Sequence, residues 1–174
     1  MNKHFDNYTV LITGAASGLG KELSVCFYKM GCNLALADTN FSALHVLAET
    51  FTGTNRLISI HEADVSDPQA IQSVVDVVLL KHKQLDILIN NAAISASVSF
   101  ENVSVQNFKK VMEVNLMGVV HTTKCCLPYL HKSKDGYIVN IASGFAGMGF
   151  PGKSAYAASK AALIALTNVL QTEL

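Results

Sequence analysis

Five short apolar runs, separated by longer amphipathic stretches, follow one another along this chain. Tyr8-Thr-Val-Leu-Ile-Thr13 reads as the first strand and Gly18 to Met30 as a helix, with Leu19, Leu23, Cys26, Phe27 and Met30 on its apolar side. Asn33-Leu-Ala-Leu-Ala-Asp38 reads as a second strand, followed by a helix to about Phe51, and Leu57-Ile-Ser-Ile-His61 as a third. A helix start comes next at Ser66-Asp67-Pro68-Gln69, with capping-box spacing and proline in the first turn. Leu85-Asp-Ile-Leu-Ile-Asn90 is strand four, a long helix runs from roughly Val105 to Leu130, Gly136 to Ala142 is strand five, and the chain is helical from Ser154 onward. Strands apolar on both faces must be covered on both sides, and intervening helices supply the cover. That pattern predicts an α/β fold with a doubly wound parallel sheet of Rossmann-like form. Right-handed crossovers then place a ligand crevice at the carboxyl ends of the strands. No repeat, low-complexity tract or linker divides the chain, so residues 1–174 are expected to form a single domain.

Composition narrows the function classes. Half the residues are hydrophobic and 15% are charged, which fits a packed core and not a disordered chain. Thirteen basic side chains balance thirteen acidic ones without forming a basic stripe, so neither nucleic acid nor a membrane surface is an expected partner. No apolar run approaches the roughly 18 residues of a membrane span, and the first residues do not resemble a signal peptide. The cysteines (Cys26, Cys32, Cys125 and Cys126) form no Cys-x-x-Cys pair and read as reduced packing residues, which makes the cytoplasm the expected compartment. Six scattered histidines show no metal-ligand spacing, so no metal is expected.

The turn after strand one reads Thr13-Gly14-Ala-Ala-Ser17-Gly18-Leu19-Gly20. Glycines there let the backbone bend tightly and approach a pyrophosphate, whose charge suits the N-terminus of the following helix. Such a turn alone is weak evidence, since some glycine-rich turns of this kind are purely structural. Asp38 ends strand two, where a carboxylate can accept hydrogen bonds from an adenosine ribose and repel a 2′-phosphate; it could instead cap the next helix. Neither Ser17 nor Thr39 offers a positive charge to a 2′-phosphate, so NAD is expected in preference to NADP. Asp64 and Val65, after strand three, could set a carboxylate and an apolar wall beside the adenine. Asn91, Ala92 and Ala93 end strand four with small side chains, as needed close under a cofactor.

Tyr156 and Lys160 lie four apart on the last helix and share a face. A free phenol titrates near ~10, and a neighbouring ammonium together with an oxidised nicotinamide would bring it toward use as an acid/base. Ser143 follows strand five, where its hydroxyl can hydrogen-bond a substrate carbonyl. Met148, Phe150 and Pro151 either line the substrate side or form a plain apolar loop.

Taken together, these motifs resemble those of the short-chain dehydrogenase/reductase family in its single-domain branch, and the likeness covers nearly the whole chain. The turn Thr13 to Gly20 matches the family's cofactor motif. Asn90-Asn91-Ala92-Ala93 departs from it only in its last residue, where glycine is usual. The resemblance implies a catalytic set of Asn115, Ser143, Tyr156 and Lys160. Tyr156 would transfer the proton, Ser143 would orient the carbonyl or alcohol, Lys160 would bind the nicotinamide ribose, and Asn115 would hold a water linking Lys160 to solvent. It implies hydride transfer between a nicotinamide cofactor and a small secondary alcohol or ketone, and a homodimer or homotetramer built on the long helix and the Tyr-Lys helix. Family members usually continue after that helix into sixth and seventh strands and a closing loop, so the resemblance also implies a chain incomplete at its C-terminus. The alternative expectation is a non-catalytic nucleotide-binding or interaction protein of the same fold.

Overall fold

A computed structural model describes residues 5–53 and 55–174. The elements run β1 (Thr9–Thr13), α1 (Gly18–Lys29), β2 (Asn33–Asp38), α2 (Phe41–Glu49), β3 (Ile58–Glu62), α3 (Pro68–His82), β4 (Ile87–Asn90), α4 (Val105–Met112), α5 (Gly118–Leu130), β5 (Tyr137–Asn140) and α6 (Ser154–Glu173). The five strands form one parallel sheet in the order β3-β2-β1-β4-β5. Because side chains alternate along a strand, Val10 and Ile12 enter one core layer and Leu11 the other. The first layer packs Leu34, Leu36, Ile87 and Ile89 beneath α1 and α2; the second packs Ala35, Leu88, Val75 and Cys126 beneath α3 and α5. Chain direction reverses in sheet order between β1 and β4, so the loops leaving those two strands diverge and open a crevice.

Two local expectations are corrected and a third is refined. In α1 the fully buried residues are Gly20 and Ser24, whereas Leu19, Cys26 and Met30 are exposed. The small side chains let this helix lie close on the sheet. At α3 the cap is Asp67, not Ser66: its carboxylate accepts from the Gln69 and Ala70 N–H groups, with Pro68 following at the first helical position. Ser66 instead donates both its N–H and its hydroxyl to Asp64. Finally, the long helix runs unbroken over Val105–Leu130, as expected, but it is not regular throughout. A π-helical turn over Glu113–Met117 separates α4 from α5. Asn115, which has no solvent exposure, lies at its centre.

Candidate active site

Two side chains fix the glycine turn from opposite edges. On the β4 side, the Asn91 amide donates to the carbonyls of Thr13 (3.0 Å) and Gly14 (2.9 Å). The Thr13 hydroxyl in return accepts the N–H groups of Asn91 and Ala92, both at 3.1 Å. On the β2 side, Asp38 accepts the Ala16 N–H at 2.9 Å. Gly14 has φ +64°, and a Cβ there would stand 2.8 Å from the Ala92 Cα, so only glycine fits. A Cβ on Gly20 would run into the Gly14 carbonyl. The result is a backbone cradle in front of α1, whose first N–H groups have no partner within the helix and face outward.

The crevice at this end of the sheet encloses about 550 Å³. Gly14, Ser17, Gly18 and Leu19 line it together with Asn91, Ala92 and Ala93, and so do Asp38, Asp64 and Val65. Thr13 and Gly20 are not among the lining residues; they support the turn through the contacts just described. Reading the sequence did not single out Ile94, Lys110 and Val114 as part of this wall. They come from a loop and from α4 to the π turn, and only the pairing of β4 with β1 brings them over the glycine turn. Lys110 brings the one cation among the residues lining the crevice.

The other candidate residues gather beside β5. Ser143 opens a single 3₁₀ turn over Gly144–Ala146, and its oxygen accepts the Phe145 N–H at 3.3 Å, leaving its own proton free to donate. The start of α6 packs on that turn, with the Phe145 ring edge-on to Tyr156 at a centroid separation of 6.3 Å. One helical turn on, the Lys160 ammonium lies 5.8 Å from the Tyr156 ring centroid and donates to the Ile141 carbonyl at 2.6 Å. Lys160 is only 2% exposed, and burial lowers its pKa from the usual lysine value.

Asn115 joins this group from the π turn. Its Oδ1 accepts the Ile94 N–H at 2.8 Å; its Nδ2 donates to the Ile94 carbonyl at 2.9 Å and to the Ser159 hydroxyl at 3.0 Å. The Ser159 hydroxyl in turn donates to the Tyr156 carbonyl at 2.7 Å. The amide therefore ties the loop after β4 to the helix that carries Tyr156 and Lys160. Both of its N–H groups are committed to these contacts. Ser159, absent from the sequence-based set, is the connecting residue; a serine inside a helix gives no sign of such a role until its neighbour across the fold is known.

A family model described as short chain dehydrogenase matches residues 8–174. Among curated proteins, the chain is 35% identical to the 3-oxoacyl-(acyl-carrier-protein) reductase FabG of Thermotoga maritima, over 94% of this chain and 67% of that protein. It is 38% identical to 11-beta-hydroxysteroid dehydrogenase-like 3 of Arabidopsis thaliana, over 99% and 57% respectively. Among solved structures, a short chain dehydrogenase/reductase from Burkholderia phymatum in complex with NAD superposes with a TM-score of 0.93 at 31% identity, covering 98% of this chain and 61% of that one. A glucose/ribitol dehydrogenase from Brucella melitensis gives 0.94 at 29% identity, over 99% and 72%. The chain thus spans about half to two thirds of the length of the curated relatives it matches.

Proposed function

The chain belongs to the short-chain dehydrogenase family, and from that premise we propose that it carries the cofactor-binding and proton-transferring core of an NAD-dependent oxidoreductase acting on a secondary alcohol or ketone. The observation that carries this reading is Lys160. An ammonium removed from water is unfavourable unless something offsets it, and among the described residues no carboxylate pairs with this one. Its neighbours are the Ile141 carbonyl and the Tyr156 ring. Such an arrangement serves a phenol that must give up and regain a proton.

In this reading the amides opening α1 and the turn Gly14 to Gly20 hold a dinucleotide pyrophosphate, and the absence of Cβ atoms at Gly14 and Gly20 lets that turn fold tightly on itself and against Ala92. Asp38 accepts from the adenosine ribose, which favours NAD over NADP, and Asp64 and Val65 border the adenine. Bound nicotinamide supplies a carbon that accepts or donates hydride. Ser143 donates its free proton to the substrate oxygen and fixes its position. Tyr156 exchanges a proton with that oxygen, and the Lys160 ammonium offsets the charge left behind on the phenol. Asn115 keeps α6 in register with the loop after β4, so the groups meet the substrate pre-positioned. A cytoplasmic location and a homodimer or homotetramer complete the proposal. Four unpaired cysteines, no helix long and apolar enough to cross a membrane among the described residues, and exposed Ile164 and Val169 on α6 support those parts.

The test is a fluorescence titration with NADH and NADPH, followed by turnover on a panel of ketones and alcohols. NADH is expected to bind more tightly than NADPH. Tyr156→Phe should lower kcat by about a hundredfold or more while leaving the NADH Kd nearly unchanged. Turnover indifferent to Tyr156→Phe, or no binding of either nucleotide, overturns the proposal.

A further inference from the structure

Asp38 does two things at once. Its Oδ2 accepts the Ala16 N–H at 2.9 Å and its Oδ1 accepts the Asn40 N–H at 2.9 Å, so each carboxylate oxygen already holds a backbone amide. Ala16 lies in the glycine turn, between Gly14 and Gly18, and the preceding Ala15 N–H is held by the Ala37 carbonyl at 3.2 Å. Two successive amides of the turn are therefore fastened to the end of β2. The residues that follow, Ser17, Gly18 and Leu19, line the crevice where α1 begins. Helix capping of α2, the structural alternative for Asp38, falls to Asn40, whose side chain accepts the Ala43 N–H at 3.0 Å.

We infer that Asp38 is a positioning residue for the pyrophosphate as well as a contact for the ribose: its carboxylate holds Ala16, and through Ala16 it sets the direction of the amides that receive the phosphates. The inference rests on the cofactor reading above. Its consequence is specific. Replacing the carboxylate removes the negative charge facing a 2′-phosphate, but it also slackens the cradle shared by both nucleotides, so neutralising Asp38 does not create an NADP site. In Asp38→Asn the isosteric carboxamide keeps one accepting oxygen and turns an NH₂ group toward either the Ala16 or the Asn40 N–H, which breaks one tether. Asp38→Ala breaks both.

The experiment compares adenosine, which has the ribose and no phosphate, with ADP, which has both. Calorimetric titrations of wild type, Asp38→Asn and Asp38→Ala are run alongside NADH and NADPH, with thermal melts to show that each variant is folded. The expected result is a loss of ADP affinity of about tenfold or more in Asp38→Asn, and a loss for adenosine several times smaller. NADPH should gain no more than a few-fold and stay weaker than wild-type NADH. Equal losses for adenosine and ADP overturn the inference, because the carboxylate then acts at the ribose alone. So does an Asp38→Asn variant that binds NADPH as tightly as wild type binds NADH. If wild type binds none of the four ligands, the cofactor reading fails and this inference with it, an outcome told apart by appearing before any substitution is made. Should Asp38→Ala not fold, the isosteric Asp38→Asn decides.

Discussion

Gly14 shows how a single residue can be required twice. Its backbone is left-handed and its Cα faces the backbone of Ala92, so Gly14→Ala meets both a conformational penalty and a steric one. The variant is expected to lose about 2 kcal/mol or more in urea unfolding and to bind NADH at least tenfold more weakly; unchanged unfolding and affinity would show that the turn can relax. The requirement at this position was legible in the sequence, because glycines in a strand-to-helix turn form a local pattern. The closeness of Tyr156 and Lys160 was legible too, because residues four apart share a helix face. Asp38 was legible only in part: its place at the end of β2 could be read, but its hold on Ala16 could not, since that bond spans two strands. Ser159 and the Ile94 backbone were hidden for the same reason, since both matter only through Asn115.

At the scale of elements, β3 and α3 meet through a buried polar chain. The Ser59 hydroxyl lies 2.8 Å from His82 Nε2 and 2.9 Å from His61 Nε2. One hydroxyl has one proton, so it donates to one ring and accepts from the other. His82 Nδ1 is buried without a partner, and an Nε2–H tautomer there leaves only an acceptor unmatched. Burial brings both rings down to about 4 from the ordinary histidine value of 6.5. The unfolded chain therefore takes up protons first as pH falls. Stability contributed by the neutral pair is complete above about pH 6.5, falls between there and about 4, and is constant below. A loss of a few kcal/mol is expected in urea unfolding between pH 7 and pH 4.5, and it should be smaller in His82→Gln. A midpoint independent of pH over that range would contradict this. The sequence shows these histidines only as scattered residues without metal-ligand spacing, and the separation of His61 from His82 by some twenty residues concealed the pairing. The π turn was likewise missed, because one wider turn inside a helix leaves no local signal in the sequence.

Across the whole molecule, the crevice is assembled at the carboxyl ends of the strands, and the sheet ends at β5, which among the described residues pairs only with β4. Tyr137 and Val139 on that strand are 42% and 40% exposed, and Ile164 and Val169 on α6 are also open to solvent. Two routes to self-association follow, one along the strand edge and one across the helix face. Light scattering is expected to report a dimer or tetramer that Val169→Glu dissociates and Val139→Lys leaves intact; the reverse pattern would assign assembly to the strand edge, and a monomer would dismiss both. The parallel sheet covered on both faces was legible because apolar runs and their lengths are local signals, while the helix partners were not. The π turn gives those partners their order. α4 packs against α6, which carries Tyr156 and Lys160, whereas α5 packs against α3 beneath the other half of the sheet. One extra residue between them acts as a phase shift in an otherwise regular screw, turning the second half of the rod toward a different neighbour from the first. The helix that carries Tyr156 and Lys160 and the helix over the outer strands are thus geared together through a single added amino acid.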